Sequence, residues 1–421
     1  MRWTVLLLVL AAASVAAQPV STRCDAVGVP IDGLTTDLRL LGCGDEYTTN
    51  TLWHLDRADS LSGALDGTVL RPATGKGVVV YVFDSGIRAD HDEFARPGGT
   101  NVIGALDPGR ELGFAPETCA SGFAAPLDPC RDTATPASHW VFTHGTATAS
   151  IIAGRTTGVA PDASLVAVHV ARFDAFLYLE GLDSIIRHAW DSATPPFRTA
   201  IVNMSLLPAV HGDPYADGLE AKMRDMIYGV DSEGRRDANG KRFLFVSIAG
   251  NYHAQRQQDP PRLYGQCDAQ RRVAMFPATR GTAIDGLIVA GGITPENRVW
   301  EGSCIGDGVD ILAPASDMFV ATLTGRDHYR SAHRVYGQLP NAGTSYAAPY
   351  VSGLAALLLE KSPELSPEDL ERIIKSGASR VADPNETTAG GRVAIFDRQT
   401  VTRGTTVQRG GAENAEGRRD R

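Results

Sequence analysis

Two kinds of hydrophobic run alternate along this chain. The first is short and unbroken. Val78-Val-Val-Tyr-Val-Phe83, Leu165-Val-Ala-Val-His-Val170, Ala200-Ile-Val-Asn-Met204 and Arg242-Phe-Leu-Phe-Val-Ser-Ile248 are rich in β-branched or aromatic residues and lack apolar–polar alternation. Such runs predict strands covered on both faces, as in a parallel sheet. Leu287-Ile-Val-Ala290 and Val309-Asp-Ile-Leu312 are shorter members of the set. The second kind has helical spacing and covers residues 176–190 and 215–229. Ser366-Pro-Glu-Asp369 reads as a capping box with proline at the first helical position, opening a helix to Ser376. After Asn341-Ala-Gly-Thr-Ser345, the residues Ala347, Val351, Leu354, Ala355 and Leu358 keep the spacing of a helix that buries one face. Ser345 therefore falls where loop becomes helix. Strands alternating with helices predict an α/β fold, a doubly wound, mostly parallel sheet flanked by helices.

The ends of the chain read differently. Met1-Arg2, the apolar stretch Val5 to Ala13 and the small residues Val15-Ala-Ala17 form a secretory signal over 1–17, with the mature chain starting at Gln18. Residues 18–50 read as a short irregular extension, 51–398 as one globular domain and 399–421 as a disordered tail. Within the domain, residues 107–138 are rich in Pro, Gly and Ala and look like a surface insertion. No later apolar run approaches the roughly 18 residues that a bilayer span needs, so a secreted, extracellular protein with no membrane partner is expected. The net charge of -9 is diffuse and contains no Lys/Arg run, which argues against a nucleic-acid partner. Export allows the six cysteines to pair, and the simplest arrangement joins neighbours: Cys24 with Cys43, Cys119 with Cys130, Cys267 with Cys304.

Polar residues stop several of these elements. The first buried strand ends at Asp84, on the rim where open α/β sheets place their ligands. His144-Gly-Thr-Ala-Thr-Ala-Ser opens a run of small residues that lets a helix pack closely and fix the imidazole. Each feature alone has an ordinary structural explanation: a turn aspartate, a capping histidine, an N-cap serine. Together they form a chemical set. A serine hydroxyl needs a histidine to take its proton, and the histidine needs a carboxylate to hold its tautomer and stabilise its charge. The backbone N–H of Ser345, at a helix start, and the side-chain N–H of Asn251 can stabilise an oxyanion. All ten histidines precede Ser345, which excludes the nucleophile elbow of α/β-hydrolases, where histidine follows serine. The order Asp, His, Ser is that of subtilisin.

Residues 53–397 resemble the subtilisin-like serine proteases (subtilases, peptidase S8), closest to the secreted proteinase K branch. The resemblance rests on Val82-Phe-Asp84-Ser-Gly-Ile87, His144-Gly-Thr146, Gly158-Val-Ala-Pro161, Val202-Asn-Met-Ser205, Ala249-Gly-Asn251, Phe276-Pro-Ala278, Val309-Asp-Ile-Leu-Ala-Pro314 and Gly343-Thr-Ser-Tyr-Ala-Ala-Pro349, in the family's order. It implies a serine endopeptidase that cleaves extended polypeptides through an acyl-enzyme. Asp84 would orient, His144 act as general base and acid, Ser345 attack and Asn251 hold the oxyanion. Ser205, Leu206, Leu207, Ala249 and Gly250 would line the substrate site.

Three departures bear on this reading. Leu206-Leu207-Pro208 stands where the family usually has glycines on the strand that pairs with substrate, and proline removes a donor. Ser85 replaces the commoner threonine, and Ser150 a glycine. The stretch between Ala17 and Trp53 is shorter than the inhibitory propeptide such enzymes carry, so the chain either folds unaided or lacks part of its natural start. No cofactor is needed for the chemistry, and no Cys-x-x-Cys pair or His-Glu-x-x-His helix offers a transition-metal site. The resemblance leaves room for structural Ca²⁺ on Asp-rich loops, none with diagnostic spacing. The protein is expected to be a monomer. The rival reading is a catalytically weak or inactive secreted binding protein on the same scaffold.

Overall fold

Unbroken apolar runs become the middle of one large sheet. In the computed structural model of the chain, residues 29–30, 35–37, 52–108, 136–170, 175–190, 196–208, 214–230, 241–252, 266–321, 329–330 and 342–396 are described. The signal segment, the insertion around Cys119 and Cys130 and the 399–421 tail lie outside them. Nine strands make the sheet: β1 (Val79–Asp84), β2 (Val102–Leu106), β3 (Ser164–His169), β4 (Thr199–Met204), β5 (Arg242–Ile248), β6 (Leu287–Ile293), β7 (Ile311–Pro314), β8 (Ser379–Arg380) and β9 (Arg392–Val393). Their order across the sheet is β8-β9-β7-β6-β5-β4-β1-β3-β2. Every neighbouring pair is parallel except β8 with β9.

All residues of β1, β4 and β6 are buried, as their lack of alternation predicts. Three strands carry no such signal in the sequence. β2 is interrupted by Gly104 and sits at the sheet edge, and β8 and β9 are only two residues long each. Part of the extension is also more ordered than its composition suggests. Val29–Pro30 pairs with Thr35–Asp37, which pairs in turn with Thr68–Leu70, all antiparallel.

Among the described residues five helices cover the sheet: α1 (Pro136–Ala153), α2 (Ala175–Trp190), α3 (Pro214–Tyr228), α4 (Thr344–Lys361) and α5 (Pro367–Ser376). α4 packs against α1 and against β4, β5, β6 and β7, whereas α2 and α3 pack on each other, with α3 against β5. The spacing in α4 predicts one buried face, yet every residue from Thr344 to Leu359 is buried. α1 closes over its second side, and Gly353 allows the close approach, since a Cβ there would lie 3.4 Å from the Ile152 carbonyl oxygen. α1 also starts earlier than the run of small residues indicates. It begins at Pro136, a residue suited to the first helical position, so His144 lies within the helix.

The chain runs from β1 out to β2 and β3 on one side, then returns to β4 on the other. The crevice outside the carboxyl ends of β1 and β4 is therefore the topological switch point, where doubly wound sheets bind their ligands.

Candidate active site

Asp84 closes β1, and in register across that rim Phe83 faces Met204, which places Ser205 beside Asp84. Burial of the Asp84 carboxylate is complete, so it needs donors. The N–H of Ser85 donates to Oδ1 at 2.7 Å. Nδ1 of His144 lies 2.8 Å from Oδ1 and 3.0 Å from Oδ2. With the carboxylate oxygens accepting, Nδ1 carries the hydrogen of these bonds.

Close docking of α1 onto the end of β1 sets that pair. Gly145 N–H donates to Ser85 Oγ at 3.0 Å, and Arg88 N–H donates to Thr146 Oγ1 at 2.9 Å. A Cβ on Gly145 would lie 2.1 Å from the Gly86 carbonyl oxygen, so only glycine lets the helix come this near. The serine found at position 85 keeps the hydroxyl that receives Gly145. Ser150 also has work: its Oγ accepts from Ala321 N–H at 3.1 Å, tying α1 to the short strand Val320–Ala321.

Ser345 is the second residue of α4, whose first N–H groups have no partner within the helix. Pro349 sits four residues later. Lacking an N–H, it leaves the Ser345 carbonyl without its helical donor, and Ser205 Oγ fills the gap at 3.0 Å. In return Ser345 Oγ donates to the Ser205 carbonyl at 3.2 Å, long for a hydroxyl donor and easily given up. Asn203 Nδ2 donates to Ser205 Oγ at 2.9 Å and Ser352 Oγ to Asn203 Oδ1 at 3.1 Å, so the end of β4 is laced to α4.

Asn251 follows β5 on the same rim. Its Oδ1 accepts from both Thr344 N–H and Thr344 Oγ1, each at 2.9 Å, which identifies that atom as the oxygen and leaves Nδ2 as donor. A Cβ built on Gly343 would stand 3.6 Å from Ser345 N and 3.7 Å from Asn251 Nδ2, so both donors border one small volume. Gly250, at φ 103°, packs against Gln266 and Cys304; a Cβ there would meet Cys304 Sγ at 2.9 Å. The disulfide Cys267–Cys304 is present, as neighbour pairing predicts, and Cys304 N–H donates to the Gly250 carbonyl at 2.9 Å. Ala249 is fully buried, and Leu206 and Leu207 are buried too, so their side chains turn into the protein. Among the described residues no group of three or more His, Cys, Asp or Glu side chains fits a metal ion.

The structure thus joins Asp84 to His144, Ser345 to Ser205 and, through Thr344, Asn251 to the start of α4. It also adds Thr148, which the sequence pattern does not single out: its Oγ1 lies 3.4 Å from Asp84 Oδ2. Its position four residues after His144, on the same helical face, is the signal that could have found it.

Fold and rim define a doubly wound α/β protein with an acid–imidazole pair and a serine at a helix start. The chain belongs to the subtilase family, peptidase S8, whose sequence profile matches residues 75–415. It is similar to alkaline serine exoprotease A of Vibrio alginolyticus, 27% identical over 335 residues, covering 80% of this chain and 48% of the relative. Mycosin-1 of Mycobacterium tuberculosis is 30% identical over 318 residues, covering 71% of this chain and 63% of that protein. The alkaline extracellular protease of Yarrowia lipolytica is 28% identical over 339 residues, 78% of this chain and 59% of the relative. The chain therefore spans between about half and two thirds of these relatives. A crystal structure of a cold adapted subtilisin-like serine proteinase superposes with a TM-score of 0.55 at 23% identity, over 82% of this chain and 98% of that one, and supports the same fold.

Proposed function

We propose that this protein is a secreted serine endopeptidase that hydrolyses extended polypeptides through an acyl-enzyme. The observation that carries the proposal is the imidazole of His144, fixed through Nδ1 on both oxygens of a fully buried Asp84 carboxylate. In the reaction Ser345 Oγ leaves the Ser205 carbonyl, gives its proton to His144 Nε2 and attacks the substrate carbonyl carbon. Asp84 stabilises the imidazolium that forms. The new oxyanion is held by Asn251 Nδ2–H and the backbone N–H of Ser345. His144 then protonates the leaving amine, which departs as the acyl-Ser345 ester forms. Water, deprotonated by the same imidazole, releases the acid.

Substrate backbone would lie along residues 205–208 and 249–250, the two segments that leave β4 and β5 at this rim. With Leu206 and Leu207 turned inward, main-chain groups make those contacts, and Pro208 offers only its carbonyl. Export is supported by the leader-like start and by the extracellular relative. No helix among the described residues is long and apolar enough to cross a membrane.

A fluorophosphonate probe tests the assignment. Folded protein should be labelled, and both Ser345→Ala and His144→Ala should lose labelling and casein hydrolysis while keeping the thermal midpoint. Absent labelling of folded wild type would favour a binding protein on this scaffold, and labelling that survives Ser345→Ala would place the nucleophile elsewhere.

A further inference from the structure

We infer that Thr148 is a positioning residue for the general base, acting through Asp84; the inference rests on the triad reading above. The Asp84 carboxylate has few donors. Oδ1 accepts from Ser85 N–H at 2.7 Å and shares the imidazole. Apart from the imidazole, the donor to Oδ2 among the described residues is Thr148 Oγ1 at 3.4 Å. Both residues are fully buried, so water does not replace a missing donor.

The hydroxyl has one hydrogen and two acceptors. The Gly145 carbonyl lies at 3.0 Å and Asp84 Oδ2 at 3.4 Å, so rotation about the Cβ–Oγ1 bond turns the hydrogen from the helix to the carboxylate. Ser85 N–H holds one oxygen, and Thr148 Oγ1 holds the other when its hydrogen turns from the Gly145 carbonyl to Oδ2, which keeps both oxygens facing Nδ1. His144 and Thr148 are four residues apart on one helix, so base and anchor shift together when α1 shifts. A further titratable neighbour of Asp84 among the described residues is the Tyr178 phenol of α2. Burial first, and the Asp84 charge second, push its pKa well above the ordinary value, so it stays neutral and adds no competing charge.

Thr148→Val keeps the shape and removes the donor. On a peptide substrate kcat should fall about tenfold with KM nearly unchanged. The acid limb of the kcat profile should move to higher pH, because a carboxylate with one donor fewer holds the imidazolium more tightly. Thr148→Ser should restore both, and Thr148→Ala should repeat the Val result without the added methyl. Wild-type kcat and pH profile in folded Thr148→Val, or equal impairment in Thr148→Ser, would overturn the inference. If Ser345→Ala itself keeps activity, the triad reading falls first. A Ser345-dependent enzyme indifferent to Thr148 defeats only this inference.

Discussion

At the scale of single residues, the rim is held by polar atoms whose partners come from neighbouring elements. Thr344 occupies the oxygen of Asn251 with two donors, so the amide cannot flip and its N–H groups face the rim. Asn251→Ala removes that donor while leaving Ser345 N–H in place. Turnover should drop on the order of 10² to 10³, with KM changed far less, as steady-state kinetics on a peptide ester would show. Asp84, His144, Ser345 and Asn251 were singled out as candidates by the sequence, because each ends a strand or sits in a small-residue stretch beside one. Thr148 was not. A threonine inside an alanine-rich helix looks like filler until the helix is docked and its hydroxyl meets a carboxylate from another element.

At the scale of elements, two helices bring chemistry to a rim made by strands. α4 presents Ser345 through a start held by Asn251 and Ser205, and Pro349 creates the vacancy that Ser205 fills. α1 presents His144 through backbone contact at Gly145. Gly145→Ala forces a methyl to within 2.1 Å of the Gly86 carbonyl oxygen, so α1 must retreat and the His144–Asp84 distance must grow. The expected outcome is a loss of about 1 to 3 kcal/mol in stability by urea denaturation, with fluorophosphonate labelling lost at temperatures where the protein stays folded. Periodicity located most of the strands and four of the helices to within a few residues. It missed the start of α1, where the small-residue signal masks an earlier proline, and strands β2, β8 and β9, which are edge or two-residue pieces whose pairing depends on neighbours.

At the scale of the whole molecule, a buried histidine far from the rim ties the first helix of the domain to the rest. His54, in the short helix Trp53–Asp56, is fully buried, and its Nε2 donates to the Thr157 carbonyl at 2.9 Å. Burial above all lowers its pKa from 6.5 to about 4, with nearby Arg71 acting in the same sense and Thr157 and Glu93 against it. A depressed value means that the unfolded chain takes up a proton that the folded one refuses. Its stabilisation is therefore full above pH 6.5 and is lost as pH falls towards 4, a change of roughly 3 kcal/mol. Urea midpoints measured across that interval should fall, and His54→Gln, which keeps a donor for Thr157, should flatten the fall. A slope unchanged in the variant would assign acid sensitivity to other groups.

What the sequence by itself determined was the menu of parts. Unbroken β-branched runs become doubly covered strands wherever they lie, and the position of every histidine before Ser345 excludes an α/β-hydrolase nucleophile elbow without coordinates. Tertiary structure decided which of those parts meet. The switch in strand order puts Asp84 beside Ser205, the glycine at 145 sets how near the imidazole comes, and the packing of α1 over α4 buries a helix whose own pattern shows one apolar face. Hydrophobic periodicity is a local property and survives in any fold that buries it. A hydrogen bond between residues 60 apart in the chain exists only once the sheet has closed around both.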